Sequence, residues 1–271
     1  MKKVIHIFIY LFAGIGFFLT AGYFAVKYGL TNTKGIVDNQ RTEFLKNSAS
    51  VSGSSNPKPA WAKGAEWQTL KDAILKDVSD INKAGALTDI SPRLIVSILI
   101  VEQLRLFYSD REVYKQIFAP LKILGTQSQF SWGVMGIKPE TAKTIEQNLK
   151  NTQSDFYPGS DYKNLLDFKT SNPDQERFAR LVNEKDRYYS YLYSGTYLKE
   201  VKTQWQKAGY PIDIKVDILA TLFNIGFANS KPNAAPQSGG AEIEINGVTY
   251  SFGSLAKEFY DSSLLTDYFS K

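Results

Sequence analysis

The stretch from 92 to 107 is strongly apolar and contains no helix breaker after its first residue. Ser91 suits the N-cap and Pro92 suits the first helical position, so this stretch is predicted to be a helix over 92–107. Glu102 lies near its end, and an isolated acid on an apolar face is costly to bury unless it has a use or a partner. At helical spacing, the side chains that share the face of Glu102 are Ile95, Ile98, Leu99 and Leu106.

Two interpretations of Glu102 follow from this helix. In the first, apolar surroundings penalise the ionised carboxylate and keep a proton available, as a general acid requires. In the second, Arg105, three residues further on, pairs with Glu102 and holds it ionised as part of the structure. The helix by itself favours neither.

The composition excludes several kinds of catalytic site. His6 is the only histidine and lies in the apolar N-terminal segment, and the chain has no cysteine. A Ser-His-Asp triad, a Cys-His pair, a HExxH helix and a thiolate zinc site are therefore excluded, and neither a metal nor a cofactor is expected. An enzyme built from this chain must use Asp, Glu, Tyr, Lys or Ser.

The basic residues do not suggest a nucleic-acid partner. Of the net charge of +5, three charges come from Lys2, Lys3 and Lys27 in a segment without acids, which leaves +2 for the remainder. A nucleic-acid site would need a basic stripe or a cluster of Lys and Arg, and the sequence has neither. No nucleic-acid binding is expected.

Three segments in order resemble the lytic transglycosylase branch of the lysozyme-like superfamily. The helix ending near Glu102 corresponds to the one that carries the catalytic Glu, and SWGVMGIKPETA (131–142) is similar to the family's Ser-x-Gly-x-Met-Gln-Ile and Pro-x-Thr-Ala segment. TLFNIGF (221–227) is similar to its Ala-Tyr-Asn-Ala-Gly segment. The resemblance covers approximately 90–230.

The resemblance implies a mainly α, lysozyme-like domain with Glu102 as the single catalytic acid and then base. It implies cleavage of peptidoglycan glycan strands between N-acetylmuramic acid and N-acetylglucosamine, which leaves an anhydro-muramoyl end. The residues that it implies for substrate binding are Ser131, Gly133, Val134, Met135, Phe223, Asn224 and Tyr197.

Three departures from the family pattern leave alternatives open. Gly136 stands where Gln is usual, Gln103 where a small hydroxyl residue usually follows the acid, and Phe223 where Tyr is usual. One alternative is a catalytically weakened protein that binds peptidoglycan or acts as a scaffold in the cell envelope. Another is a muramidase-type hydrolase, which would need a second carboxylate. The acids close to Glu102 in sequence are Asp110, Glu112 and Asp155.

Two of the candidate binding residues also have a structural interpretation. Tyr189, Tyr193 and Tyr197 recur at steps of four in a predicted helix over 187–209, and such a stripe can stack on sugars or pack in the core. Asn224 can contact a saccharide or end a helix.

The N-terminal residues 4–26 form an apolar run long enough to cross a bilayer as a helix. An uncleaved signal anchor is favoured over a cleaved signal peptide, because the run exceeds a usual h-region and no small-x-small cleavage site follows. The predicted organisation is an anchor over 1–30, a flexible linker over 31–60 and a transglycosylase domain over 61–271. The protein is thus expected to cross the cell membrane once, with its domain outside the cytoplasm, where a partner from an envelope assembly could also bind it.

The remaining patterns predict mostly helices. An amphipathic helix is predicted over 68–85 with Gly85 as its stop, and a final helix over 254–269. The alternation over 241–252 around Asn246-Gly247 predicts a hairpin, and the loop over 229–240 is expected to cover one end of the cleft. The predicted fold class is therefore mainly α with a small C-terminal β-hairpin.

Overall fold

The computed structural model describes residues 10, 16, 17, 20, 59–63, 65–108, 133–183 and 186–271. The four residues near the N-terminus are helical and belong to a different compact unit from 59–108 and 133–271. The predicted linker over 31–60 lies outside the described residues except for Pro59 and Ala60. The predicted span over 4–26 is described at only those four positions, and none of the described helices has the length and apolar character needed to cross a membrane.

The described part of 59–271 is mainly helical with one two-stranded antiparallel sheet, which confirms the predicted fold class at this level. The helices are α1 (Ala65–Lys76), α2 (Val78–Thr88), α3 (Pro92–Phe107), α4 (Pro139–Lys150), α5 (Pro173–Val182), α6 (Tyr188–Lys207), α7 (Val216–Ile225) and α8 (Phe252–Asp261). The strands are β1 (Glu242–Ile245) and β2 (Val248–Ser251), and short 3-10 turns cover Ala60–Lys63, Ser160–Tyr162 and Phe227–Asn229.

Helix α3 has the predicted bounds and forms the centre of the domain. Ser91 is its N-cap and Pro92 lies in its first turn. The helix packs against α1, α2, α6, α7 and α8, so its consecutive residues from Leu94 to Val101 are all buried. A helix that is apolar all round is enclosed by its neighbours. The apolar surroundings of Glu102 therefore come from this enclosure and not from one stripe.

The prediction of one helix over 68–85 is wrong, because the helix divides into α1 and α2 at Asp77. The Asp77 carboxylate accepts hydrogen bonds from Arg187 Nε at 2.7 Å and from the Tyr191 hydroxyl at 2.5 Å. Its partners lie more than a hundred residues away, so local periodicity gives no sign of this break.

Gly85 does not stop the helix as predicted. Helix α2 continues to Thr88, and Asp89 ends it in the left-handed conformation, with φ 53°. A Cβ on Gly85 would lie 2.7 Å from the Ile90 carbonyl oxygen. The missing side chain instead lets the chain fold back closely before α3.

The predicted hairpin is confirmed, with Ile243 opposite Tyr250 and Ile245 opposite Val248. Asn246 and Gly247 have φ of 52° and 78°, as a two-residue turn between right-twisted strands requires.

The predicted final helix over 254–269 is too long, since α8 already ends at Asp261. The chain beyond it is held by Arg93 of α3, whose side chain is fully buried. Its guanidinium donates to the carbonyl oxygens of Phe259, Tyr260, Ser262, Leu264 and Phe269. These contacts fix the C-terminal segment without further helix.

Candidate functional site

Glu102 lies in the next-to-last turn of α3 and is only 3% exposed. Arg105 donates from Nη2 to Glu102 Oε2 at 2.5 Å. A guanidinium at this distance stabilises negative charge on the carboxylate. The ion pair that the sequence offered as an alternative is therefore present.

A tight turn from Gly133 to Gly136 lies directly against this carboxylate. Its two glycines have φ of 66° and 63°, and Gly136 N–H donates to the Gly133 carbonyl at 3.3 Å. A Cβ on Gly136 would lie 2.8 Å from Glu102 Oε2 and 3.0 Å from Cδ. Both the positive φ and the close approach require glycine here.

Gln103 links the same turn to α3. Its Nε2 donates to the Val134 carbonyl oxygen at 2.5 Å. From the sequence, Gln103 stood only as a departure that removes a hydroxyl group. Because its partner is 31 residues further on, no local signal could have revealed this contact.

The far side of the turn packs into the domain. Met135 is fully buried, whereas Val134 is partly buried and Gly133 is exposed. A Cβ on Gly133 would lie 2.3 Å from the Leu181 carbonyl oxygen. Met135 thus has no surface for the substrate contact predicted for it, and Ser131 lies outside the described residues.

Tyr197 is buried in the wall beside α7. Its hydroxyl donates to the Leu222 carbonyl oxygen at 2.8 Å, and its ring meets Phe223 edge-on, with centroids 5.2 Å apart. The structure therefore brings two predicted binding residues together. Only the partly exposed Phe223 has surface to offer a ligand, and Tyr197 supports it from behind.

Two members of the tyrosine stripe, Tyr193 and Tyr197, are buried in the core, whereas Tyr189 is only partly buried. Tyr193 is fully buried, and its hydroxyl donates to Glu146 Oε1 at 2.6 Å. Burial and the neighbouring Glu146 carboxylate raise the pKa of this phenol.

Asn224 holds the segment that follows α7. Its Oδ1 accepts a hydrogen bond from Ala241 N–H at 2.9 Å, so it ties the loop over 229–240 back to the helix. Gly226, and not Asn224, is the C-cap of α7, with φ 85°. Asn224 is partly buried and has a structural partner in this loop.

A second buried carboxyl group, missed in the sequence, is Glu200 of α6. It is fully buried, Asn148 Nδ2 donates to its Oε2 at 3.0 Å, and its Oε1 has no hydrogen-bond partner among the described residues. Burial raises the pKa of Glu200 well above its ordinary value, and the Asn148 bond only partly opposes this shift. The tyrosine stripe of the same helix gave no indication of it.

The acids considered for a second catalytic carboxylate gain no support from the described residues. Asp155 is exposed in the loop after α4, and Asp110 and Glu112 lie outside the described residues. No group of three metal-ligating side chains occurs in the parts of the chain that the structure describes.

Comparison of the chain with protein-family models, with curated proteins and with solved structures gives no match.

Proposed function

We propose that the protein is a membrane-anchored, lysozyme-like lytic transglycosylase that cleaves peptidoglycan glycan strands. Glu102 acts as the acid and then as the base. The observation that carries the proposal is the close approach of Gly136 to the Glu102 carboxylate. A Cβ added to this glycine would lie only 2.8 Å from Oε2. The helix and the turn are the two segments that the resemblance to transglycosylases pairs in one site.

The reaction needs one titrating group. Glu102 donates its proton to the glycosidic oxygen as that bond breaks. The resulting carboxylate then accepts a proton from a hydroxyl of the same muramoyl sugar, which closes the anhydro ring. No water is consumed, and Glu102 ends neutral, as it began.

The Arg105 contact sets a condition on this cycle. Because the guanidinium stabilises the ionised carboxylate, the pair has to open and Glu102 has to take up a proton from solvent before it can donate one. Arg105 keeps 17% of its side chain exposed and lies at the edge of the core, so a bound glycan has access to it. When the pair re-forms, it favours the base form that the second step uses.

The same ion pair favours a second function. If the Glu102–Arg105 contact persists with glycan bound, Glu102 is structural and the protein is a wall-binding or scaffold protein of the envelope. The absence of a side chain at Gly136 fits this alternative too.

The anchor proposal is supported by the described residues near the N-terminus. Tyr10 and Phe17 are helical, lie seven residues apart and are 74% and 70% exposed. The apolar run over 4–26 is long enough to cross a bilayer as a helix, and exposed apolar side chains within it suit contact with lipid. We infer a single membrane span over 4–26 with the domain over 61–271 outside the cytoplasm.

The decisive experiment incubates the full-length protein with purified wall sacculi and determines the masses of the soluble products. Anhydro-muramoyl ends and their loss in Glu102→Gln are expected; Glu140→Gln, an exposed acid of α4, is the control. Products that have gained water would indicate a hydrolase. Binding to sacculi without any product, unchanged in Glu102→Gln, would favour the wall-binding function.

A further inference from the structure

The loop over 208–215, between α6 and α7, presents apolar side chains to solvent. Ile214 is 92% exposed and Tyr210 is 41% exposed. Pro211 between them is exposed as well. These three exposed apolar residues lie within five positions of the chain, and an exposed apolar patch marks a surface that contacts a membrane or a partner.

The backbone of this loop is fixed. Tyr210 N–H donates to the Trp205 carbonyl at 2.9 Å, after Gly209 with φ 81° ends α6. Lys215 N–H donates to the Ile212 carbonyl at 3.0 Å. Ile212 is buried, and the turn that it begins therefore holds Ile214 outward.

Two lysines, Lys207 and Lys215, flank the loop. Neither Lys207 nor Lys215 forms an ion pair with a described acid, and the Lys207 ammonium also donates to the carbonyl oxygens of Ser154 and Tyr157. The nearest acid, Asp213, is already paired with Lys202 at 2.9 Å. An apolar tip between lysines matches the boundary of a bilayer, where apolar side chains enter the acyl region and ammonium groups meet anionic headgroups.

We propose that the loop over 208–215 docks on the surface of an anionic phospholipid membrane. This inference rests on the anchor part of the proposed function, but not on the glycan chemistry. A domain tethered beside a bilayer experiences it at a high effective concentration, so a contact through two side chains and two lysines is sufficient.

Docking through this loop also orients the domain. Helix α7 begins directly after the loop, and its 10 residues span about 15 Å. Phe223 and Asn224 lie at its opposite end. The length of α7 therefore separates these two predicted binding residues from the docking loop.

The absence of cysteine allows a direct test. An environment-sensitive fluorophore is attached to Ile214→Cys in the full-length protein, with one copy in each phospholipid nanodisc. Val248→Cys is the matched control, because Val248 is also β-branched, 42% exposed and beside a turn. We expect a blue shift and quenching by a lipid-borne quencher at 214 only, both weaker in purely zwitterionic discs.

Equal exposure of the two labels to water would overturn the proposal. A blue shift that arises only in discs holding several copies would mean that a second copy covers the loop, and this too would overturn it. If the protein does not stay in nanodiscs, the anchor proposal fails separately. Flotation with anionic vesicles then decides: flotation that Ile214→Asp abolishes supports docking, and none at all refutes it.

Discussion

At the residue scale, the candidate site depends on a side chain that is missing. Gly136 has a positive φ, and a Cβ added to it would lie 2.8 Å and 3.4 Å from the two carboxylate oxygens of Glu102. Gln103 then holds the same turn through the Val134 carbonyl. Two positions that depart from the family pattern are thus the two that join the turn to α3.

Gly136→Ala should displace the Glu102 carboxylate, because the new methyl group would overlap it. We expect a loss of about 1–3 kcal/mol in the free energy of unfolding. If Glu102 is catalytic, the rate at which sacculi are cleaved should fall at least about tenfold, because a small misplacement of a catalytic group lowers the rate by this much or more. Gly247→Ala is the control, because Gly247 also has a positive φ, 78°, but a Cβ added to it would have no atom within 4 Å. Product release measures the activity of both variants, and chemical denaturation measures their stability. Equal losses of activity in the two variants would contradict this role.

Gln103→Ala should loosen the turn by removing the donor to Val134 O. The expected cost is about 1 kcal/mol in stability, with a larger relative loss in kcat than in KM if the turn positions the reacting sugar. Gln206→Ala, at an exposed position of α6, should change neither quantity. A Gln103→Ala variant with wild-type kcat would show that the contact is dispensable for positioning.

At the scale of elements, buried charged groups hold the helices together. Arg93 joins α3 to α8 and to the C-terminal segment through five carbonyl oxygens. Glu200 of α6 accepts a hydrogen bond from Asn148 of α4, its one donor in the described part of the chain. Glu176 of α5 instead accepts hydrogen bonds from the N–H groups of Lys169 and Thr170.

Arg93→Met should lower the free energy of unfolding by about 3 kcal/mol or more, because five carbonyl oxygens, two buried and three partly buried, lose their donor. Limited proteolysis should then cut beyond Asp261 before it cuts elsewhere in the domain. Lys257→Met removes only an exposed pair with Asp261 and should cost less than about 1 kcal/mol. Equal effects of both substitutions would refute the assignment.

Glu200 and Glu176 should give the stability opposite pH dependences. Burial raises the pKa of Glu200 well above 4.5, so the stability it contributes is complete below pH 4.5 and is lost as the pH rises. Burial also opposes ionisation of Glu176, but the bonds from Lys169, Thr170 and Arg180 outweigh it and lower its pKa to about 2. Its contribution is present above pH 4.5 and is lost as the pH falls towards 2.

Denaturant unfolding across this pH range tests both assignments. Glu200→Gln should gain stability relative to wild type as the pH rises above 4.5. Glu176→Gln should be less stable at neutral pH, with a difference that shrinks between pH 4.5 and 2. Differences that do not vary with pH would show that neither pKa is shifted as described.

At the scale of the whole molecule, the proposed arrangement is an anchor, a tether and an extracytoplasmic domain. Protease added to intact spheroplasts should cut within 48–59 and release the domain, while the uncleaved protein stays in the membrane fraction. A domain protected from the protease, or a mature protein free of the membrane, would contradict the arrangement. Immunoblotting of both fractions is sufficient.

The sequence by itself determined those elements whose signals are local. The bounds of α3 follow from Ser91, Pro92 and an unbroken apolar run, and the hairpin follows from Asn246-Gly247 between alternating residues. Capping and turn chemistry act within a few residues of the chain, so a pattern of that length can report them. Glu102 could likewise be singled out, because an acid in an apolar run is conspicuous.

Only the tertiary structure decided what depends on distant partners. Asp77 divides a periodic helix because it binds Tyr191 of α6 and Arg187, the N-cap residue of that helix. Gly136 and Gln103 became part of the site because the turn packs on the end of α3, and Glu200 became a buried acid because helices enclose it. Each of these contacts joins residues tens of positions apart. The energies of these contacts depend on burial and on the distance between the partners in space, and a local sequence pattern contains neither.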